Sequence, residues 1–173
     1  MLHKAHHLQN EHGPYDPEAK KLLKDALDLL EGRCNHLQNW ITLFQLYTKY
    51  AYAIDREFPE KSAGYSRKAI AVVNAQHLDR EPAIQMMVVT LYNNYAWVLW
   101  NKLGREEAVI YYGRAIELLE GYLLEGSQEE SVVKAQLKHL GEAFHKLYLS
   151  SNREKEASRL KERLKENGVE IKE

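Results

Sequence analysis

The stretch YAWVLWNKLGREEAVIYYGRAIELLEG, residues 95–121, admits two readings. Its tryptophans and tyrosines around a GREEA turn suit either a reactive pocket or the packing code of a helix pair, and spacing decides between them. With Tyr92 just upstream, Tyr92, Tyr95, Ala96 and Leu99 fall three, one and three residues apart, which puts them on one face of a helix with a small residue in its middle. That small residue lets a neighbouring helix approach closely. Beyond Gly104, Ala108 and Ala115 are seven residues apart and share a face of a second helix, again suited to close packing.

The same code recurs outward from this stretch. EAKKLLKDALDLLEG (residues 18–32) aligns without a gap on EAVIYYGRAIELLEG (residues 107–121), an offset of 89 residues, and KAIAVV (residues 68–73) is a weaker copy about halfway between. A second series, YTKYAYAI (47–54), YNNYAWVL (92–99) and LKHLGEAF (137–144), returns every 45 residues, with Ala51, Ala96 and Gly141 as the small residue. Proline is confined to positions 14, 17, 59 and 82, and the segments between are rich in helix formers at helical spacing. The expectation is an all-α fold of about eight helices, over 2–12, 17–31, 35–56, 60–77, 82–102, 105–124, 128–150 and 153–166. They pair as 1–32, 35–78, 82–125 and 128–168 within one domain, 1–173, with Gly13, Gly32, Gly104 and Gly126 at or near the stops.

Composition narrows the function classes. Twenty-four Lys plus Arg against 25 Asp plus Glu leave a net charge of −1, which supplies no global attraction for nucleic acid or an anionic membrane. The single cysteine, Cys34, has no internal disulfide partner. The first residues lack the apolar run of a signal peptide, and no window approaches a membrane span, so a cytoplasmic protein without a membrane partner is expected.

Leu91 to Ala96, Leu99, Gly104, Glu107 with Ala108, Tyr111 with Tyr112, and Ala115 resemble the tetratricopeptide repeat. The resemblance is good over residues 89–121, fair over 1–32 and weaker over 44–76, where either Ser62 or Ala63 could be the first alanine position. It implies a right-handed array of antiparallel helix pairs with a concave surface, and protein or peptide binding in most members, with RNA binding or a purely structural role in some. The period of 45 residues exceeds the family's usual ~34, so helices or connections must be longer. Members that hold a C-terminal carboxylate use a clamp of Lys and Asn, then Asn, then Lys with Arg. Thr48 and Tyr52, Asn93 and Trp97, and Ala135 and His139 stand at those places, so that clamp is absent in this register.

If the small residues face the partner helices, positions off that face line the concave side. They are Thr48, Lys49, Tyr52 and Arg56 in one repeat, Asn93, Asn94, Trp97, Trp100 and Asn101 in the next, and Lys138, His139, Glu142 and Lys146 in the last, with His7 and Asn10 extending the row. Asparagine amides both donate and accept, so they suit a peptide backbone, while its side chains meet the aromatic rings. Lys49, Tyr52, Arg56, Asn93, Asn94, Trp97, Trp100, Asn101, Lys138 and Glu142 are therefore the candidate peptide-binding residues. Either tryptophan could instead be core, and Tyr111 and Tyr112 fit core packing better than ligand contact. The asparagine pair is equally explained by exposure or by hydrogen bonds between helices.

Chemistry is less well supported. His3, His6, His7 and His12 share helical spacing, but no cysteine pair or HExxH arrangement completes a zinc site, and a frayed terminal helix explains them. Cys34 near His36 lacks an orienting third group, and the carboxylates Glu106, Glu107, Glu129 and Glu130 fall at helix starts, where they complement the dipole. Neither catalysis nor a cofactor is expected. A non-enzymatic adaptor is the leading reading. Single-stranded RNA on Tyr52, Trp97 and Trp100 beside Lys49, Arg56, Lys138 and Lys146 is the first alternative. The long period and the segment Tyr95-Ala96-Trp97 also resemble interferon-induced RNA-binding members of the family. The second alternative is a structural subunit, or homo-oligomer, that assembles through terminal helices: Leu160 and Leu164 make the last one amphipathic, a cap or a docking face, while its charges alternate in sign.

Overall fold

The computed structural model describes residues 2–33, 36–124 and 130–171. Eight α-helices occur among them: α1 Leu2–His12, α2 Pro17–Leu30, α3 Leu37–Ile54, α4 Pro59–Gln76, α5 Pro82–Asn101, α6 Ala108–Leu124, α7 Glu130–Ser150 and α8 Glu154–Glu166, with a short 3-10 turn at Leu78–Arg80. Cys34, Gly126 and Glu129 lie outside the described residues, as do the side chains of His3 and His6. The helices form stacked antiparallel pairs, each helix packing on its neighbours in the chain.

Local chemistry explains most boundaries. Pro17, Pro59 and Pro82 each begin a helix, where a missing N–H costs nothing and the fixed φ is already helical. Asp16 caps α2 by accepting the Ala19 N–H at 2.8 Å. At Gly104 the backbone turns left-handed, with φ of 61°, and Arg105 N–H returns to the Leu99 carbonyl at 2.8 Å, which closes α5. Of the ends that differ from the sequence expectation, two have a clear local cause. α3 stops at Ile54 rather than at position 56: the Asp55 N–H returns to the Tyr52 carbonyl at 3.4 Å in a tighter turn, and Pro59 holds Phe58 out of the helical region, at φ −136° and ψ 66°, as the chain enters α4. α6 begins at Ala108 rather than at 105. Its entry is a tight turn, with Ala108 N–H on Arg105 O at 3.2 Å and Val109 N–H on Glu106 O at 3.0 Å.

The seam of each central pair is built from tyrosine. Tyr65 of α4 meets Tyr50 edge-on at 4.8 Å between ring centroids and Tyr47 at 6.1 Å. Tyr111 of α6 meets Tyr95 edge-on at 4.6 Å and Tyr92 at 6.1 Å, so the two pairs share one geometry. A cation covers each set, Lys68 over Tyr47 and Tyr65, Arg114 over Tyr92 and Tyr111. This equivalence resolves the register left open between Ser62 and Ala63: Tyr65 matches Tyr111, so Ser62 stands where Ala108 does. Both are buried, as is Ala63. Burial pushes the Tyr95 and Tyr112 hydroxyls up to about 12.

Ala51, Ala96 and Gly141 are all buried, and at Gly141 the constraint is steric. A Cβ there would overlap Leu164 Cδ1 of α8 and sit 3.3 Å from Ile171 Cγ2. Beyond α8 the chain turns at Gly168, with φ of 71° and Val169 N–H on Leu164 O at 2.9 Å, and brings Val169 and Ile171 into the core. No such tail was expected from the sequence. A contiguous cluster of buried side chains runs from Ala5 in α1 to Ile171 and includes members of every helix. The outer face of α8 carries the exposed Lys155, Ser158, Arg159 and Glu162, while Leu160 and Leu164 pack inward.

Gly141→Ala is expected to destabilise the fold by about 1–3 kcal/mol through overpacking, offset only in part by alanine's helix preference of about 1 kcal/mol. Gly113→Ala, where an added Cβ meets nothing within 4 Å, should instead stabilise by roughly 0.5–1 kcal/mol. Denaturant titration of the two variants checks the opposite signs.

Candidate functional site

The first helix of each later pair, α3, α5 and α7, turns its remaining face toward a shared cavity of about 640 Å³. Its lining includes Tyr52 and Arg56 from α3 and the residues after it, Asn93, Asn94, Trp97, Trp100 and Asn101 from α5, and His139, Glu142 and Lys146 from α7. Matching positions of successive repeats thus converge: Tyr52, Trp97 and Glu142 are spaced by 45 residues, as are Arg56, Asn101 and Lys146. Lys49 and Lys138 do not line this cavity. Lys49 is half-buried, which pushes its ammonium down from the usual lysine range, and Lys138 is exposed. His7 and Asn10 are exposed on α1 and do not reach it either.

Both tryptophans border the cavity, in different ways. Trp97 is 38% exposed, with the Lys102 ammonium 5.3 Å from its ring centroid, so this face already accepts a cation. Trp100 is half-buried and packs against the core as well. Tyr112 is 2% exposed, stacks on Phe144 at 5.6 Å, and reaches the cavity wall only at its edge of the core. Asn101 Nδ2 donates to the Trp97 carbonyl at 3.2 Å. Among the described residues, no hydrogen bond engages the side-chain amides of Asn93 or Asn94, so bonding between helices is not what holds them there.

Two wall residues were not singled out from the sequence, Tyr15 and Asp55. Tyr15 lies in the turn after α1 and packs its ring 6.0 Å from that of Tyr52, while the Arg56 guanidinium sits 4.1 Å above it. Asp55 caps the C-terminus of α3 and is 2% exposed. Its Oδ1 is buried with no hydrogen-bond partner among the described residues. Loss of hydration raises its pKa from the usual carboxylate value, against the opposing pull of the Tyr15 hydroxyl and the Arg56 charge. The 45-residue period contains the signal that would have found it, because Asp55 is one period before Trp100.

A second cavity, about 540 Å³, continues along α5 and α7 toward their N-terminal ends. Val89, Thr90, Val132, Ala135 and Gln136 line it, and Asn93 and His139 border both cavities. Its walls are mainly apolar, and none of the residues peculiar to it was among the candidate peptide-binding residues. Among the described residues, no group of three or more His, Cys, Asp or Glu could hold a metal ion, and no helix is long and apolar enough to cross a membrane. His7 and His12 are exposed beside Glu11, at 3.3 and 3.9 Å.

Because the Asp55 pKa is raised by folding, the native state holds this proton over a pH window where the unfolded chain has released it. The group's stabilising contribution is complete below the unfolded pKa and is lost as pH rises through the folded one. Asp55→Asn should therefore melt at a higher temperature than the native protein at neutral pH, with the difference vanishing in strongly acidic buffer. A lower melting temperature at neutral pH would show that Tyr15 and Arg56 outweigh the desolvation. In comparisons with known proteins, the chain matches no family model, no curated protein and no solved structure.

Proposed function

We propose that the chain is a divergent tetratricopeptide-like domain, a right-handed array of four helix pairs, that acts in the cytoplasm as a non-enzymatic adaptor. An extended segment of a partner protein lies across α3, α5 and α7. The observation that carries this reading is the convergence of Tyr52, Asn93, Asn94, Trp97, Trp100 and Glu142 on one cavity, with a second, apolar cavity continuing along α5 and α7. Unengaged amides supply donors and acceptors for a peptide backbone, aromatic faces supply contact area at low entropic cost, and the apolar cavity supplies a place for a hydrophobic side chain. Lys49 and Lys138, outside the cavity, fit a flanking role at most.

Single-stranded nucleic acid is supported less well. Asp55 and Glu142 face the same cavity as Arg56 and Lys146, and two carboxylates beside the aromatic rings oppose a phosphate backbone. Assembly through the terminal pairs draws support only from the amphipathic α8, whose apolar side α7 and the tail already occupy.

The test is affinity capture with the purified protein from nuclease-treated and untreated extracts, beside an Asn94→Ala/Trp97→Ala variant with a native helical signal. A protein retained after nuclease and reduced at least about tenfold by the variant is the expected result, matching the loss of one aromatic hot spot. Retention that depends on intact RNA, or that ignores both substitutions, would overturn the proposal.

A further inference from the structure

Asp55 is in a costly place by three criteria. It is a carboxylate, it is 2% exposed, and its Oδ1 has no hydrogen-bond partner among the described residues. It also caps the C-terminal end of α3, where helix carbonyls already concentrate negative potential and a cation, not an anion, is favoured. The Tyr15 hydroxyl, the Arg56 backbone N–H and the charges of Arg56 and Lys102 favour the carboxylate, yet burial outweighs them and none of them hydrogen-bonds Oδ1. The neighbouring Arg56 is exposed and has its guanidinium over the Tyr15 ring, and Lys146 is exposed at the opposite wall. Solvated charges of this kind contribute little, whereas a buried carboxylate interacts strongly with a cation brought against it.

The surroundings suit such a cation. Tyr15, Tyr52, Trp97 and Trp100 border the same cavity, and the Lys102 ammonium beside Trp97 shows one of these rings already serving a positive charge. Ring faces and a desolvated carboxylate together are the chemistry that recognises a guanidinium or ammonium group. We propose that the cavity wall at Asp55 is a specificity subsite for a basic side chain, arginine or lysine, of the bound peptide. This rests on the peptide-groove reading and adds to it the charge of the residue that anchors the segment. The incoming cation completes the hydrogen bonding of Oδ1 and offsets the potential at the end of α3, so Asp55 costs stability in the free protein and contributes affinity in the complex.

The probe is a random linear peptide library displayed on phage, selected in parallel on the native protein and on Asp55→Asn. The native protein is expected to enrich sequences with Arg or Lys at one position, and Asp55→Asn to lose that enrichment while keeping a native helical signal. For a peptide synthesised from the selection, either Asp55→Asn or replacement of its basic residue by uncharged citrulline or norleucine should weaken binding about 30-fold or more. The two changes together should weaken it no further than either alone, and the peptide-side change needs no protein variant to fold. Enrichment without a basic residue, or affinities indifferent to Asp55, would overturn the subsite and leave the adaptor reading standing. Failure to enrich any peptide above a blank surface would overturn both.

Discussion

The edge-on contact of one tyrosine with two others, made once in each central pair, is the constraint on which the arrangement depends. A ring held 4.6–4.8 Å from its edge partner sets both the separation and the axial register of the two helices it joins. Because the same geometry recurs between α3 and α4 and between α5 and α6, the two pairs are near copies, and stacking them turns equivalent faces the same way. Ala51 and Ala96 then fall on the buried side, and Tyr52 and Trp97 on the open one. The last pair departs from the pattern. Phe144 and Tyr148 stack at 4.4 Å within α7, and glycine replaces alanine at position 141 because Leu164 and Ile171 occupy the space of a methyl group.

The cavity follows from this arrangement without strain or special backbone. It is what remains between three helices whose seams are directed elsewhere, and its character comes from the residues left on the open faces. Aromatic rings and asparagines dominate in α5, acid and base together in α7, and Asp55 with Arg56 at the end of α3. Ion pairs between consecutive pairs, such as Arg105 with Glu60 at 2.9 Å and Lys20 with Glu57 at 2.5 Å, are exposed or partly so and add modestly to the stacking. Stability therefore resides mainly in the apolar seams. The open faces are left to side chains that the seams do not use, the buried carboxylate of Asp55 among them.

Much of the site was legible as a direction rather than a place. The repeat put Tyr52, Arg56, Asn93, Asn94, Trp97, Trp100, Asn101 and Glu142 off the seam, and all eight border the cavity. Lys49 and Lys138 shared that off-seam assignment and lie outside it. Periodicity reports the angle of a residue around its helix, but not how far along each helix the facing helices leave a gap. Lys49 and Asn94 are one period apart, yet only the second reaches the opening. Tyr15 was invisible for another reason: it lies outside the repeat, in a turn, and arrives beside Tyr52 only once α1 and α2 have packed on α3.

By itself the sequence determined the helical character, the pairing of helices and the small-residue face of each seam, because a helix converts spacing in the chain directly into position on a surface. The prolines and Gly104 punctuated it nearly to the residue, since backbone limits at these residues act locally. Only the tertiary structure decided the register of Ser62, the burial of Val169 and Ile171, the extent of the two cavities and the burial of the Asp55 carboxylate. Each of these depends on atoms distant in the chain meeting or failing to meet, and hydration, which sets the cost of a charge, is a property of the packed molecule and not of the residue.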